Sequence, residues 1–544
     1  MRSYDMNTKT LALMTLATAT LGWMVTPAVD VAASDKIINW TQSADLSTLD
    51  PSRAPDVASS QIIDQSGQGL YRSGKNNEPK LADADKVNVS EDGKTWTITL
   101  RDNLKWSNGD PVTAQDYVYG WQRTIDPKNA STSANLMYNI ENAKALNTGE
   151  QTDLSALGIK ALDDKTLQIS LIAPEPMMAK ILTEKGFYPQ NQAFETKVGD
   201  KYGSTAKDTL YNGPFKVVGW NGSNKSYRLV KNKYYIDAKQ VKPKEVHFQT
   251  VTDSSTGYNL YQSNKVDYTE LSATQIKGVK SKPGYHQIKQ ARTQYLAFNV
   301  KTGILSNQTA RQAIQRAINK AAMVKNVMSD SATMSKTFTP VGIVTDPKTK
   351  SDFAKVNAVK NTGYSTKEAK RLWQKAMKQE GLKKTSLTLL ADNDDSSKNQ
   401  AQFLQSQLES HLPGLQVTVK TQPKTARVKA MLSSQFEMVL VGWNGDYADP
   451  LAFLANWQTG ATANFGNWTD ENYDAALTAA QTTDAMDNEA RMADLGRAEK
   501  IYQTQVPATT LFDVTNSVMI NPKVTGVQIN TVGATFDFTK AVKK

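Results

Sequence analysis

Apolar and polar residues alternate in several short stretches of the chain, and this pattern predicts half-buried strands. Residues 95–100 (TWTITL) and 165–171 (KTLQISL) show the alternation most clearly. Residues 37–43 (IINWTQS) have the composition of a first strand. We expect each of these strands to place one face on a core and the other in solvent.

Helix-start signals lie between the predicted strands. Ser59 and Ser60 follow a segment rich in turn residues, and we expect a helix to start there. Thr113 is followed three residues later by Asp116, a carboxylate at the position of the capping-box glutamate. This predicts a second helix, which carries several aromatic residues.

The second half of the chain alternates between the two kinds of element. Ser365 and Glu368 form a capping box before an amphipathic helix that Gly381 ends. The strands predicted after it are residues 387–390, 416–420 and 437–441. Alternating helices and strands predict a separate α/β domain over roughly residues 300–514.

Composition indicates a folded protein of several domains. The chain has 544 residues, of which 39% are hydrophobic and 22% charged. Its formal net charge is +11, but the basic residues are scattered and no nucleic-acid module is recognisable. A solvated basic surface and a site for an acidic polymer both fit this charge.

Cysteine is absent, which excludes disulfides, thiolate nucleophiles and attachment of lipid through an N-terminal cysteine. The chain has three histidines, His247, His286 and His411, and no two share a helical turn. We therefore expect no metal and no cofactor. The sequence contains no GxSxG, P-loop or GxGxxG motif, and we expect no enzymatic activity.

The N-terminus has the pattern of a secretory signal peptide. Arg2 and Lys9 precede residues 11–25, an uncharged stretch that is too short for a comfortable membrane span. Small residues at Ala32 and Ala33 suit signal peptidase. We expect residues 1–33 to be removed and the product to lie outside the cytoplasm or at the cell surface; an uncleaved anchor is the alternative.

Residues 96–127 resemble the signature of the peptide and nickel family of extracytoplasmic solute-binding proteins, which includes the oligopeptide-binding proteins of ABC importers. The resemblance extends from about residue 37 to the end of the chain. Its further segments are residues 129–131, 158–164, 211–215, 295–299, 311–320 and 442–450.

The resemblance implies an α/β protein with the three-domain Venus-flytrap fold of periplasmic binding proteins (type II, cluster C). Strands near residues 209–215 and 296–300 would cross between the domains at the hinges. Domain I is expected to be discontinuous. The expected domains are residues 34–72, 208–297 and 515–544 for domain I, 73–207 for domain II, and 298–514 for domain III.

The resemblance also implies a binding site at residues 442–450. Gly442, Trp443 and Asn444 would pair with the ligand backbone as an added strand, and Asp446 would bind the peptide α-amine. Backbone pairing binds peptides without selecting side chains. From the residues alone, Asp446 could equally cap a loop, and Trp443 could belong to a core.

The opposite wall of the site is expected at Pro55, Asp56 and Val57, which would offer backbone groups to the other edge of the peptide. Two positions where relatives bind the ligand carboxylate with arginine carry Met431 and Leu440 here. A third position, where relatives have a histidine, falls on or near Ser397. The set of side chains that binds the ligand carboxylate (the carboxylate clamp) is therefore absent or rebuilt in this chain.

The resulting hypothesis is a peptide-binding component of an ABC importer. Its partners would be a peptide and a membrane permease, with an anionic cell-wall polymer as a further candidate and no nucleic acid. We expect a monomer. A peptide-pheromone receptor of the same fold and a secreted peptidase or hydrolase are the alternatives.

Overall fold

The computed structural model describes residues 37–544, so the predicted signal peptide lies outside the described residues. The strands are β1 (Ile38–Gln42), β2 (Tyr71–Ser73), β3 (Pro79–Leu81), β4 (Ala84–Val89), β5 (Thr95–Leu100), β6 (Ile159–Asp163), β7 (Thr166–Ser170), β8 (Phe215–Val218), β9 (Ser226–Lys231), β10 (Glu245–Thr250), β11 (Tyr268–Glu270), β12 (Tyr285–Phe298), β13 (Ala332–Met334), β14 (Thr385–Asp392), β15 (Leu415–Gln422), β16 (Met438–Asn444), β17 (Ala508–Ile520), β18 (Val524–Thr525), β19 (Gln528–Ile529), β20 (Phe536–Asp537) and β21 (Val542–Lys543).

Helices separate most of these strands in the second half of the chain. They are α1 (Val57–Ser66), α2 (Ala114–Ile125), α3 (Ala143–Thr148), α4 (Met178–Ile181), α5 (Gln192–Val198), α6 (Ser254–Gln262), α7 (Ala273–Val279), α8 (Gln308–Ala317), α9 (Lys320–Ala322), α10 (Phe353–Val356), α11 (Thr366–Gln379), α12 (Asp395–His411), α13 (Lys424–Leu432), α14 (Leu451–Leu454), α15 (Glu471–Gln481) and α16 (Asn488–Gln505).

The first core is built from distant parts of the chain. A four-stranded sheet with the order β1-β10-β9-β8 forms its base, and β1 runs parallel to β10. Trp40 stacks on Tyr268 with ring centroids 4.4 Å apart and meets Phe536 edge-on at 5.0 Å. Residues from 38–62, 211–248, 268–288 and 518–541 share this core, so the unit that contains it is discontinuous.

The second core comes from one continuous stretch, residues 70–187. Its antiparallel sheet has the order β4-β5-β7-β6. Trp121 of α2 is fully buried, donates from Nε1 to the Phe187 carbonyl at 2.9 Å and meets the Phe187 ring edge-on. This single segment folds as a unit inserted between parts of the first core.

The third core lies on both faces of a seven-stranded sheet with the order β11-β17-β12-β16-β14-β15, to which β13 adds on β17. Trp373 and Leu389 mark one face. Tyr295 and Trp457 mark the other, with ring centroids 5.7 Å apart. The parallel pairing of β14 with β15 and β16 matches the predicted alternation of helices and strands.

The long strands β12 and β17 connect the first and third cores. Ile288 packs in the first core, whereas Ala291 packs in the third. The register of β12 on β17 shifts between Lys289 and Thr293, at the crossing. This crossing precedes the predicted residues 296–300 because Leu296 and Phe298 are already fully buried in the third core.

The predicted strands at 37–43, 95–100 and 165–171 form with ends shifted by at most a residue or two. The Thr113 capping box also forms, with the Asp116 carboxylate accepting the Thr113 N–H at 2.8 Å. The predicted start of α1 at Ser59 and Ser60 was wrong. The helix begins at Val57 because the Asp56 carboxylate caps it, accepting from the Ser59 N–H at 2.8 Å. The domain boundaries stay a prediction.

Candidate binding site

Strand β16 has a free edge at its C-terminal end. Its parallel pairing with β14 reaches only Val439, whereas its antiparallel pairing with β12 continues to Asn444. Among residues 37–544, therefore, no strand pairs with residues 440–444 on the β14 side. An unpaired edge with its main-chain donors and acceptors exposed can accept an additional strand.

The hydrogen-bond phase of the β12–β16 ladder identifies the groups that point to this edge. The Gly445 N–H donates to the Ala291 carbonyl at 2.8 Å. In antiparallel pairing, hydrogen-bonded and non-hydrogen-bonded residue pairs alternate. Trp443 is therefore bonded to β12 through its own main chain, and Gly442 and Asn444 direct their N–H and C=O groups to the free edge.

The loop after β16 is held by a buried ion pair. Asp449 and Arg491 are both almost fully buried, with nitrogen–oxygen distances of 2.7 and 2.9 Å. Asp449 also accepts the Leu451 N–H at 2.9 Å. The half-buried Trp443 ring packs against the third core and donates from Nε1 to the Ala452 carbonyl at 2.9 Å. The side chain of Trp443 thus supports the loop.

Asp446 projects from this fixed loop. Its side chain is exposed, and it has no hydrogen bond or ion pair with any residue that the structure describes. Nevertheless, desolvation raises its pKa, and the nearby Lys185 opposes that rise. A positively charged group placed beside such a carboxylate would stabilise its charged form.

Glu184 lies near Asp446 and Asp64 lies near Glu184, and the sequence did not indicate either of these acidic residues. Burial raises the pKa of Glu184 to about 7, and the negative charges of Asp64 and Asp446 add to that rise. Burial also raises the pKa of Asp64, which accepts a hydrogen bond from the Tyr188 hydroxyl at 2.5 Å. Lys185 offsets all three carboxylates, and Arg72, which is ion-paired with Asp537, offsets Asp64 as well. An ammonium group beside Asp446 would add to the compensation that Lys185 supplies there.

The inserted unit contacts the loop. Lys180 donates from Nζ to the Ala448 carbonyl at 2.8 Å, and Tyr447 packs against the second core. These contacts join residues of the second core to the segment that carries Asp446. The predicted α-amine residue consequently lies between the two parts.

The predicted opposite wall has fewer free backbone groups than expected. The Asp56 carbonyl accepts from the Ser60 N–H at 3.0 Å, and Val57 belongs to the first turn of α1. Pro55 is exposed just before the helix. In the described part of the chain, no hydrogen bond joins these three residues to residues 442–446, and their contact with a ligand stays a prediction.

The positions that relatives use for the ligand carboxylate are occupied differently here. Met431 and Leu440 are buried in the third core, and the Ser397 N–H bonds to Asp394 in the first turn of α12. Two nearby cations already have carboxylate partners. Arg427 is ion-paired with Asp392 at 2.6 Å, and Lys398 is ion-paired with Asp395 at 3.7 Å.

Between residues 37 and 544 no group of three or more potential ligands is arranged to hold a metal ion. His247 bonds to Glu245, and His411 Nδ1 lies 2.8 Å from the Ala317 carbonyl. Within the same span, no helix is both long and apolar enough to cross a membrane.

Comparison with known proteins identifies the family. The model of the bacterial extracellular solute-binding proteins, family 5, matches residues 76–465. The chain belongs to this family. Its fold is accordingly the mixed α/β fold of family 5 binding proteins, as the resemblance in the sequence implied.

Similar proteins of this family bind peptides according to their names. The dipeptide-binding protein of Lactococcus lactis is 37% identical over 94% of this chain and 95% of its own length. The structure of Listeria monocytogenes OppA bound to peptide has a TM-score of 0.74 and 32% identity, covering 93% of this chain and 99% of the other. The pheromone receptor PrgZ matches with a TM-score of 0.75, 32% identity and the same coverage.

Proposed function

We propose that this family 5 protein captures peptides outside the cytoplasm and delivers them to an ABC permease. The observation that carries the proposal is the free edge of β16, which ends beside the unpaired, desolvated Asp446. A peptide would add a strand at Gly442 and Asn444 and place its α-ammonium at Asp446. The peptide backbone would then bind the main chain of β16, and the α-ammonium would bind the Asp446 carboxylate.

The closing contacts supply a physical route from binding to delivery. A ligand that touches both the β16 loop and residues of the second core would favour a closed form, by adding to the contact that Lys180 makes with the Ala448 carbonyl. A permease that distinguishes closed from open forms would then recognise loaded protein. Domain boundaries at residues 72/73, 207/208 and 514/515 complete this proposal, and the boundary expected at 297/298 would instead lie at the crossing near residues 289–293.

The proposed role is binding without catalysis. The matched family and the similar proteins are named as binding proteins, and His247 and His411 contact a carboxylate and a main-chain carbonyl, respectively. The test is to incubate the protein with a defined peptide library and then to denature it and weigh what is released. Recovery of intact peptides supports capture, and new cleavage products would contradict it.

A pheromone receptor is the second candidate, favoured by the similarity to PrgZ over 93% of this chain. The two roles differ in selectivity. A nutrient binder should retain many members of the library, whereas a receptor should retain one sequence strongly.

Export and retention at the surface complete the proposal. Residues 1–33 would direct export and be removed, and the monomeric product would be held on an anionic cell-wall polymer by its charge of +11. Washing cells with high salt should release the protein. Complete retention in high salt would rule out charge as the tether.

A further inference from the structure

Arg292 lies on the strand next to β16, which carries the proposed site. It belongs to β12, with its Cα opposite that of Asn444. Its Nε and Nη2 atoms lie 3.0 and 3.1 Å from the point where a Cβ would project from Gly442. The Gln294 Oε1 atom lies still nearer to that point, at 2.7 Å, so the guanidinium and the Gln294 carboxamide together fill the space in which a side chain at position 442 would start.

Arg292 lies within electrostatic range of a second arginine, Arg427. Desolvation lowers the pKa of Arg292, and the positive charge of Arg427 lowers it further. Arg427 is ion-paired with Asp392 at the end of β14, on the other side of β16 from β12. The contact of the guanidinium with the Gly442 position places it over β16, the strand between β12 and β14.

Arg292 is also available for a ligand. In the described part of the chain its side chain has no hydrogen bond and no ion pair, although it is exposed and positively charged. Arg427 cannot neutralise it because both are cations. An arginine fork without a carboxylate, beside an open strand edge, matches the geometry of a carboxylate ligand.

We propose that Arg292 reaches across Gly442 to the free edge of β16 and binds the C-terminal carboxylate of a short peptide. This assignment rests on the proposed function, since it assumes that a peptide occupies the edge with its amine at Asp446. In this assignment the carboxylate is bound from the neighbouring strand β12, and not from positions 431 and 440, where relatives have arginine and this chain has Met431 and Leu440.

The spacing of the two charges sets the length of the ligand. Gly442 and Asp446 are four residues apart, which is at most about 13 Å for an extended backbone. A peptide spans at most about 3.5 Å per residue. Peptides of about two to four residues can therefore reach both Asp446 and Arg292, and they would run antiparallel to β16.

Calorimetry with alanine peptides tests the assignment. The probes are di-alanine to hexa-alanine, each with a free C-terminal carboxylate and as the C-terminal amide. For the tripeptide, wild-type protein should bind the acid about 10–100-fold more tightly than the amide, the range expected for a charged hydrogen bond. The preference should be lost at six residues, because a longer peptide extends past Arg292.

Variants separate the role of Arg292 from general damage. Arg292→Gln should bind the acid and the amide equally, and Arg292→Lys should keep part of the preference because it keeps the charge. Gly442→Ala should also reduce the preference, since its Cβ would crowd both the guanidinium and the Gln294 carboxamide beside it. Arg371→Gln, which removes an exposed arginine of α11 paired with Glu368, should bind like wild type.

The outcomes distinguish this inference from the proposed function. Tight binding of acid and amide alike by the wild type, or an unchanged preference in Arg292→Gln, would overturn the role of Arg292 and leave peptide capture standing. Failure of every alanine peptide to bind would count against both.

Discussion

Two aspartates three residues apart in the loop after β16 have opposite surroundings. Asp449 is buried and makes two short contacts with Arg491, whereas Asp446 is exposed and has no described partner. Two arginines on either side of β16 differ in the same way, because Arg427 is paired with Asp392 and Arg292 is unpaired. The paired charges hold the scaffold in place, and the unpaired ones are available for a ligand.

The comparison has an energetic basis. Removing one member of a buried pair leaves the other charge unpaired in a poorly solvated place, which is strongly destabilising. Removing a charge that has no protein partner costs the fold little and costs binding much. Substitutions in the two sets should therefore separate stability from affinity.

The largest effect is expected for Asp449→Ala. It leaves the guanidinium of Arg491 buried without its carboxylate, so the free energy of unfolding should fall by about 3–5 kcal/mol. Urea unfolding followed by tryptophan fluorescence measures this. Asp446→Ala is the matched control and should change stability by no more than about 0.5 kcal/mol. An equal decrease in the free energy of unfolding for both variants would contradict the distinction between paired and unpaired carboxylates.

Affinity should show the reverse order. Asp446→Ala should weaken tri-alanine with a free amino terminus by about 10–100-fold, because a charged hydrogen bond is lost. N-acetyl-tri-alanine has no ammonium and should lose little. Calorimetry measures the affinity for the two peptides. The same loss of affinity for both would show that the peptide α-ammonium binds somewhere other than Asp446.

Glu184 predicts a pH effect on stability. Burial raises its pKa from about 4.5 to about 7, so the folded protein holds a proton there that the unfolded chain releases. The resulting stabilisation is complete below about pH 4.5 and is lost as the pH rises to about 7. Thermal unfolding between pH 4.5 and 8 should therefore show a flatter profile for Glu184→Gln than for wild type. Glu150→Gln, at an exposed position, should follow the wild-type profile.

The smallest effect should come from the closing contact. Lys180→Ala removes one hydrogen bond to the Ala448 carbonyl, worth about 1 kcal/mol, which corresponds to about fivefold in peptide affinity. Small-angle scattering should show a larger radius in the free protein than for wild type. Lys160→Ala, an exposed lysine of the same unit, should change neither quantity.

Sequence patterns predicted the parts of the fold that depend on neighbouring residues. Alternation located β5 and β7, and the spacing of Thr113 and Asp116 located α2. The start of α1 was missed because Asp56, in a run of turn residues, was not recognised as a cap. Resemblance to the family supplied the position of Asp446.

The rest of the site depends on chain segments that meet only after folding. Glu184 and Asp64 are separated from Asp446 by hundreds of residues and carry no local signal. Arg292 lies in an ordinary strand pattern, and its reach over Gly442 depends on the pairing of β12 with β16. The different roles of Gly442 and Trp443 likewise follow from the phase of that ladder.

Amide hydrogen exchange at β16 tests the central claim most directly. NMR of protein labelled with ¹⁵N at glycine, asparagine and tryptophan can follow the main-chain N–H groups of Gly442, Trp443 and Asn444 with and without saturating tri-alanine. Pairing of the peptide with the free edge predicts slower exchange at Gly442 and Asn444, with little change at Trp443, which is already bonded to β12. Unchanged exchange at both Gly442 and Asn444 in the saturated complex would contradict the account.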